Sequence, residues 1–367
     1  MAGTIASGQL EEGADQRRRP LIVTEDEELL DDLLRLCAAA GSAPEVAHGT
    51  LVGDASWEGA PLVLVGDDRA RSLAGAPRRQ GVLLIGRDLD DPGIWRRGIE
   101  MGAECVVFLP DAETWLVDRV ADVVEGTADQ AVTVGVIGGR GGAGASTLAC
   151  ALAVSAARAG QRTMLIDGDP LGGGLDVLLG GEGAAGLRWP AFAKSQGRVA
   201  AGALEESLPE LHRLRLLSWD RGGVVAAHPL AVRSVLAAAR RRGGAVVVDL
   251  PRRVDEAAAE VLAQLDMALL VVPAELRAVA AAHRVASCVR MVLGDLRVVV
   301  RGPTGSGLDD EEIARLLDLP LAGELPPEPG LLAALESGEP PGASERGPLA
   351  RFCADFWARA KPVGGAT

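Results

Sequence analysis

The amino-acid sequence predicts an α/β protein of two successive domains, each built on a mostly parallel sheet. Three observations carry the prediction. Short apolar, β-branched runs alternate with helix-period segments along most of the chain. A glycine-rich turn, Gly138 to Gly144, lies between an apolar run and a helix start. At 367 residues the chain is long enough for two ordinary cores.

Taken in order, residues 1–19 are small and polar, end in Arg17–Arg19 and read as a disordered tail. Residues 20–126 form the first domain. Leu21–Thr24 reads as a strand and Glu27–Ala40 as an amphipathic helix ended by Gly41. Pro61–Val65 and Val82–Ile85 are apolar strands, Ile94–Met101 a helix, Cys105–Leu109 a strand and Glu113–Val124 a closing helix. Five short strands with intervening helices make a flavodoxin-like unit. After a linker, residues 127–131, the second domain spans 132–335. It opens on a buried strand, Val132–Ile137, and a helix, Ser146–Ala159, ended by Gly160. A Gly/Pro-rich hinge, 336–348, and an amphipathic helix, 349–361, close the chain.

Composition narrows the function classes. Five scattered cysteines without a C-x-x-C pair, and four dispersed histidines, exclude a disulfide framework and a zinc site; each Cys reads as a small buried hydrophobe. A net charge of −14 argues against a nucleic-acid partner, with Arg240–Arg242 and Arg252–Arg253 read as solvated helix end and loop. Apolar runs are strand-length, so the expectation is a cytoplasmic protein.

Strand, glycine-rich turn and helix start together form the context of a phosphate loop. Glycines allow close backbone approach, and the helix N-terminus offers free N–H groups and the positive dipole end. Against the template G-x-x-x-x-G-K-[ST], Gly139 to Ser146 fits everywhere except Ala145. Gly139, Gly141, Gly142, Ala143, Gly144, Ala145, Ser146 and Thr147 are thus the candidate phosphate cradle. Alanine in place of lysine removes the side-chain cation.

Downstream motifs make this loop specific. Met164-Leu-Ile-Asp-Gly-Asp-Pro170, Ala245-Val-Val-Val-Asp-Leu-Pro251 and the strand Leu265–Pro273 resemble the corresponding motifs of the MinD/ParA superfamily of P-loop nucleotide-binding proteins. The resemblance implies ATP and Mg2+ as cofactors. Ser146 and Asp249 would hold the metal, Asp169 would orient an attacking water, and Asp167 would support the same strand end. The family's signature lysine, which reaches across a dimer, aligns with Arg140, whose fixed charge can clamp phosphate. Where the family often has an Asn near adenine, Val298–Val300 is followed by Arg301. Leu325 and Pro326 would lie in the base-side loop. Asp176, on the following helix, reads as structural.

The first domain resembles a response-regulator receiver. However, the phosphoacceptor position is Gly66, with Asp67 and Asp68 one and two places late; the switch position is Gly86, and Leu109 replaces the lysine before Pro110. A docking or dimerisation module of receiver shape is expected, without aspartyl phosphate.

Receiver-like then MinD-like order resembles the CpaE/TadZ group of pilus-positioning proteins. Leu187-Arg-Trp-Pro and Leu216-Leu-Ser-Trp-Asp-Arg221 resemble the septum-site-determining branch, Ssd, more closely. The implied partners are a second copy of the chain and division or pilus machinery. A slow ATPase switch and a pseudo-ATPase scaffold both fit, while a ParA-like DNA-bound positioner conflicts with the charge. In the last helix, Leu349, Phe352, Cys353, Phe356, Trp357 and Ala360 share one face. That stripe suits either packing on its own domain or peripheral contact with the inner face of the plasma membrane.

Overall fold

The computed structural model describes residues 19–47, 55–125, 131–193, 197–222, 226–302 and 308–360. Most of the expected tail and linker, and Lys361, lie outside these residues. The chain divides into two compact units, parting between Thr127 and Ala128.

Unit 1 is a five-stranded parallel sheet in the order β2-β1-β3-β4-β5. Its strands are β1 (Leu21–Val23), β2 (Glu45–Val46), β3 (Val63–Gly66), β4 (Val82–Gly86) and β5 (Cys105–Phe108). Every residue of β1, β3 and β4 is buried, because helices cover both sheet faces and no alternation is called for. Helix α1 (Glu27–Ala39) buries Leu29, Leu33, Leu36 and Cys37 at helical spacing, and the Asp26 carboxylate caps it by accepting from the Glu28 and Leu29 amides. Helices α2 (Ile94–Met101) and α3 (Glu113–Glu125) follow.

The receiver-like end of this sheet is occupied by its own side chains. Gly66 ends β3, and Asp67 begins a short helix, Asp67–Ala70. Asp67 takes two hydrogen bonds from Arg97, at 2.7 and 2.6 Å, and Arg97 also pairs with Asp91. Asp68 accepts from the Thr24 hydroxyl and the Glu25 amide, both at 2.7 Å. A Cβ on Gly66 would stand 2.6 Å from Thr24 Oγ1, so that position has no room for a carboxylate.

Unit 2 is an eight-stranded sheet in the order β13-β12-β11-β6-β10-β7-β9-β8. In chain order the strands are β6 (Val132–Gly138), β7 (Thr163–Asp167), β8 (Glu210–Leu211), β9 (Leu214–Leu217), β10 (Ala245–Leu250), β11 (Met267–Pro273), β12 (Leu296–Arg301) and β13 (Leu321–Leu325). All neighbours pair parallel except β8 with β9. Helix α4 (Ala145–Arg158) lies on one face, with nine buried residues. Helices α5 (Pro229–Arg241) and α6 (Leu276–Arg290) cover the other. The arginine run at the end of α5 is engaged within the chain: Arg241 donates to the Val199 carbonyl and Arg242 to Glu205.

Two expectations need correction, the hinge and one cysteine, and the structure selects one of the two readings of the last helix. Pro340, Pro341 and Gly342 are buried, and Arg158 donates to the Gly342 carbonyl at 2.6 Å, so the hinge is a packed connection. Helix α7 (Pro348–Ala360) buries Leu349, Phe352, Cys353, Phe356 and Trp357 against α4, and the Trp357 indole donates to the Leu152 carbonyl at 2.9 Å. Its apolar face is core, the first of the two readings of this stripe. Among the described residues no helix is long and apolar enough to cross a membrane. Cys288, finally, is exposed on α6, while Cys37, Cys150 and Cys353 are buried as expected.

Candidate nucleotide site

The central position of β6 fixes the site. Register pairs Asp249 of β10 with Val136 of β6 and with Asp167 of β7, so the ends of three neighbouring strands open at one edge. The phosphate loop leaves β6 at Gly138 and enters α4 at Ala145. Gly142 (φ 70°) and Gly144 (φ 98°) take the left-handed conformation that the turn demands and that a side chain would strain. Gly144 caps α4, leaving the first amides of the helix free toward the opening.

Ser146 and Asp249 are brought together: the serine hydroxyl lies near the Asp249 carboxylate and favours its charged form. Burial pushes the Asp249 carboxyl up to about 7, with neighbouring Asp169 adding to the rise and the Ser146 hydroxyl opposing it. The Asp167 carboxyl is likewise pushed up to about 7, first by burial and then by the Asp249 charge. Asp167 Oδ1 accepts from the Asp169 amide at 3.2 Å, and Oδ2 from the Leu175 amide at 3.3 Å, so it braces the loop that carries Asp169. Asp169 is partly exposed and accepts from the Leu171 amide at 3.0 Å. Buried carboxylates that raise one another favour a cation among them. Among the described residues no three His, Cys, Asp or Glu side chains form a cage. A hydroxyl with one carboxylate fits magnesium, which keeps waters and takes substrate oxygens as its remaining ligands.

Other candidates divide. Arg140 forms an ion pair with Glu275 at 2.8 Å, just before α6, and its Nε is buried without a partner. Ala143 is buried, leaving only its backbone to face a ligand, and the Ala145 methyl packs partly against the core. Gly144, Thr147, Arg301, Leu325 and Pro326 line one cavity of about 280 Å3, together with Glu328, Leu331 and Leu349. Asp176 is structural: it is buried and paired with Arg221 at 3.0 Å.

The sequence reading assigned no role to two indoles. Trp189 and Trp219 stack with centroids 5.5 Å apart, and both donate to the Asp167 carbonyl, at 2.6 and 3.1 Å. Their Trp-Pro and Ser-Trp-Asp phrases are the only sequence signal, and neither shows which carbonyl the rings would find.

Residues 23–131 match the family model described as Rv3660c-like, CheY-like N-terminal domain. The chain is 38% identical over 321 residues to the Mycobacterium tuberculosis (strain ATCC 25618 / H37Rv) protein Rv3660c, covering 85% of this chain and 90% of that protein. It is 25% identical over 214 residues to a putative septum site-determining protein MinD of Nephroselmis olivacea, covering 56% of this chain and 77% of that one. A ParA family ATPase from Chlorobium tepidum shares the fold, with a TM-score of 0.57 at 18% identity over 62% of this chain and 98% of that one. Unit 1 is thus CheY-like and unit 2 has the MinD/ParA fold.

Proposed function

This chain belongs to the Rv3660c-like family, and on that premise we propose that it is a nucleotide-dependent spatial regulator, an ATP-binding dimer switch with weak or lost hydrolysis. The observation that carries the reading is the approach of the Ser146 hydroxyl to the buried Asp249 carboxylate at the foot of a lysine-free phosphate loop. A scaffold without nucleotide would have no use for a hydroxyl and a buried carboxylate brought together at that place. Ser146 and Asp249 would hold magnesium, the backbone of Gly141–Thr147 would hold phosphates, and Asp169 would orient water. Magnesium, when bound, screens the phosphate charge.

Exposed leucines border the same edge: Leu171, two residues past Asp169, and Leu276, beside the Arg140 partner Glu275. They supply an apolar margin for a second copy, with Arg140 leaving Glu275 to reach the partner's nucleotide. The MinD relative and the septum-type phrases favour division-site placement over a pilus role.

Calorimetry of the full chain with ATP and magnesium tests the reading. Binding at micromolar or weaker affinity is expected, with the magnesium dependence lost in Asp249→Ala. No heat and no thermal shift at millimolar ATP would sink it. A second reading, a nucleotide-holding scaffold without turnover, is favoured by Ala145. It predicts that ATP is bound yet recovered unhydrolysed.

A further inference from the structure

Arg301 ends β12, and its guanidinium reaches back over the phosphate loop. Its Nη1 lies 3.1 Å, and its Cδ 3.7 Å, from where a Cβ on Gly144 would stand. Among the described residues this guanidinium has no hydrogen-bond or ion-pair partner. The adjoining residues 303–307 contain no carboxylate. Glu328, the acid in the wall of the same cavity, uses its Oε2 to accept from the Leu349 amide at 2.9 Å. The cation therefore stands without a direct ion-pair partner beside the positive end of α4. Two positive ends facing one another in a cavity are unfavourable until an anion lies between them.

The cavity lining is also mixed in chemistry. Gly144, Thr147 and Arg301 supply amides and a cation, and Leu325, Pro326, Leu331 and Leu349 supply apolar surface. A ligand with an anionic head and a flat, mostly apolar body matches this lining. Gly144 is the last loop residue before the helix, so the guanidinium lies beside the loop's inner phosphates. A lysine at Ala145 would have served the outer ones.

We infer that Arg301 is the principal cation of this nucleotide site, gripping the α- and β-phosphates from β12 in place of the lysine α4 lacks. The ligand class is then a nucleoside diphosphate as much as a triphosphate, since the grip ignores the γ-phosphate. This rests on the nucleotide-site reading above. Discrimination between the two nucleotides falls to Asp169 and to Arg140 of a second copy.

The test is displacement of a fluorescent ADP analogue from the full chain by ADP, ATP and inorganic pyrophosphate. Arg301→Ala should weaken all three by one common factor, about 10- to 100-fold, the range of a hydrogen bond to a charged group. Arg301→Lys should regain part of the loss for all three ligands alike. Unchanged affinity in a folded Arg301→Ala protein would overturn the inference. So would a loss larger for ATP than for ADP, which places the grip on the γ-phosphate, or one that spares pyrophosphate, which places it on the base. Arg301→Gln, which keeps a polar side chain without the charge, gives the same reading if the alanine variant melts early. If wild type binds none of the three ligands, the nucleotide-site reading itself fails; if it binds them and Arg301→Ala matches it, only the role of Arg301 fails.

Discussion

Ala145 stands where a cationic side chain would meet a transferring phosphoryl group, and its methyl offers no hydrogen bond. Removing one preorganised charge partner costs on the order of 10²–10³ in rate. Ala145→Lys is therefore expected to raise steady-state ATP turnover by about tenfold or more. No rise in a folded variant would mean that chemistry here bypasses this position. Arg140 behaves differently. Its pair with Glu275 is partly exposed at both partners, so Arg140→Ala should cost less than about 1 kcal/mol of stability. Nucleotide-dependent association, read by light scattering, should nevertheless be lost; unchanged association would make Arg140 loop structure only. The residues that make the site were unevenly legible. Ser146 and Asp249 could be read because a phosphate loop and a strand-borne carboxylate each have a local spacing. Glu275, Glu328 and Trp219 could not, because each reaches the site from a distant stretch of chain and carries no local pattern.

At the scale of elements, α7 shows why an amphipathic stripe does not announce its destination. Its aromatic face would satisfy a lipid surface or a protein core equally, and only the neighbouring face of α4, rich in alanine and leucine, decides for the core. Trp357→Ala should then cost about 3–5 kcal/mol, as for other large buried aromatics, and lower the melting temperature accordingly. Sedimentation with anionic liposomes should not depend on this helix; a helix-dependent increase would contradict its burial. The turn between β8 and β9 escaped notice for another reason. His212 and Arg213 hold φ of 49° and 67°, a conformation usually announced by Asn-Gly. In unit 1, β2 is two residues long and too short for any periodicity. Its acidic pair is likewise settled only in three dimensions. With Asp67 held by Arg97 and Asp68 by Thr24, incubation with a small phosphodonor should leave no adduct on either residue by mass spectrometry. A mapped phosphoaspartate would refute the docking role.

For the molecule as a whole, both parallel sheets were legible, because buried strands flanked by helices form unbroken apolar runs. Strand order was not, since which runs become neighbours depends on crossovers that leave no trace in a linear pattern. Two units with separate cores lead to a calorimetric expectation. Heating should give two transitions, and nucleotide should move only the one belonging to unit 2. At a ligand concentration of 100 times Kd the gain is about 2.7 kcal/mol. A shift of both transitions together would show that the units unfold as one.

Trp189 and Trp219 have an optical consequence. Two indoles stacked at 5.5 Å and 24° are close enough for their electronic transitions to couple, which gives a signed couplet in near-ultraviolet circular dichroism. Both are tied to the carbonyl of Asp167, so motion of the strand end carrying Asp169 must alter their geometry and their signal. The couplet should vanish in Trp219→Phe and change amplitude when ATP and magnesium are added. The chain would thus carry its own spectroscopic gauge of site occupancy, needing no attached dye.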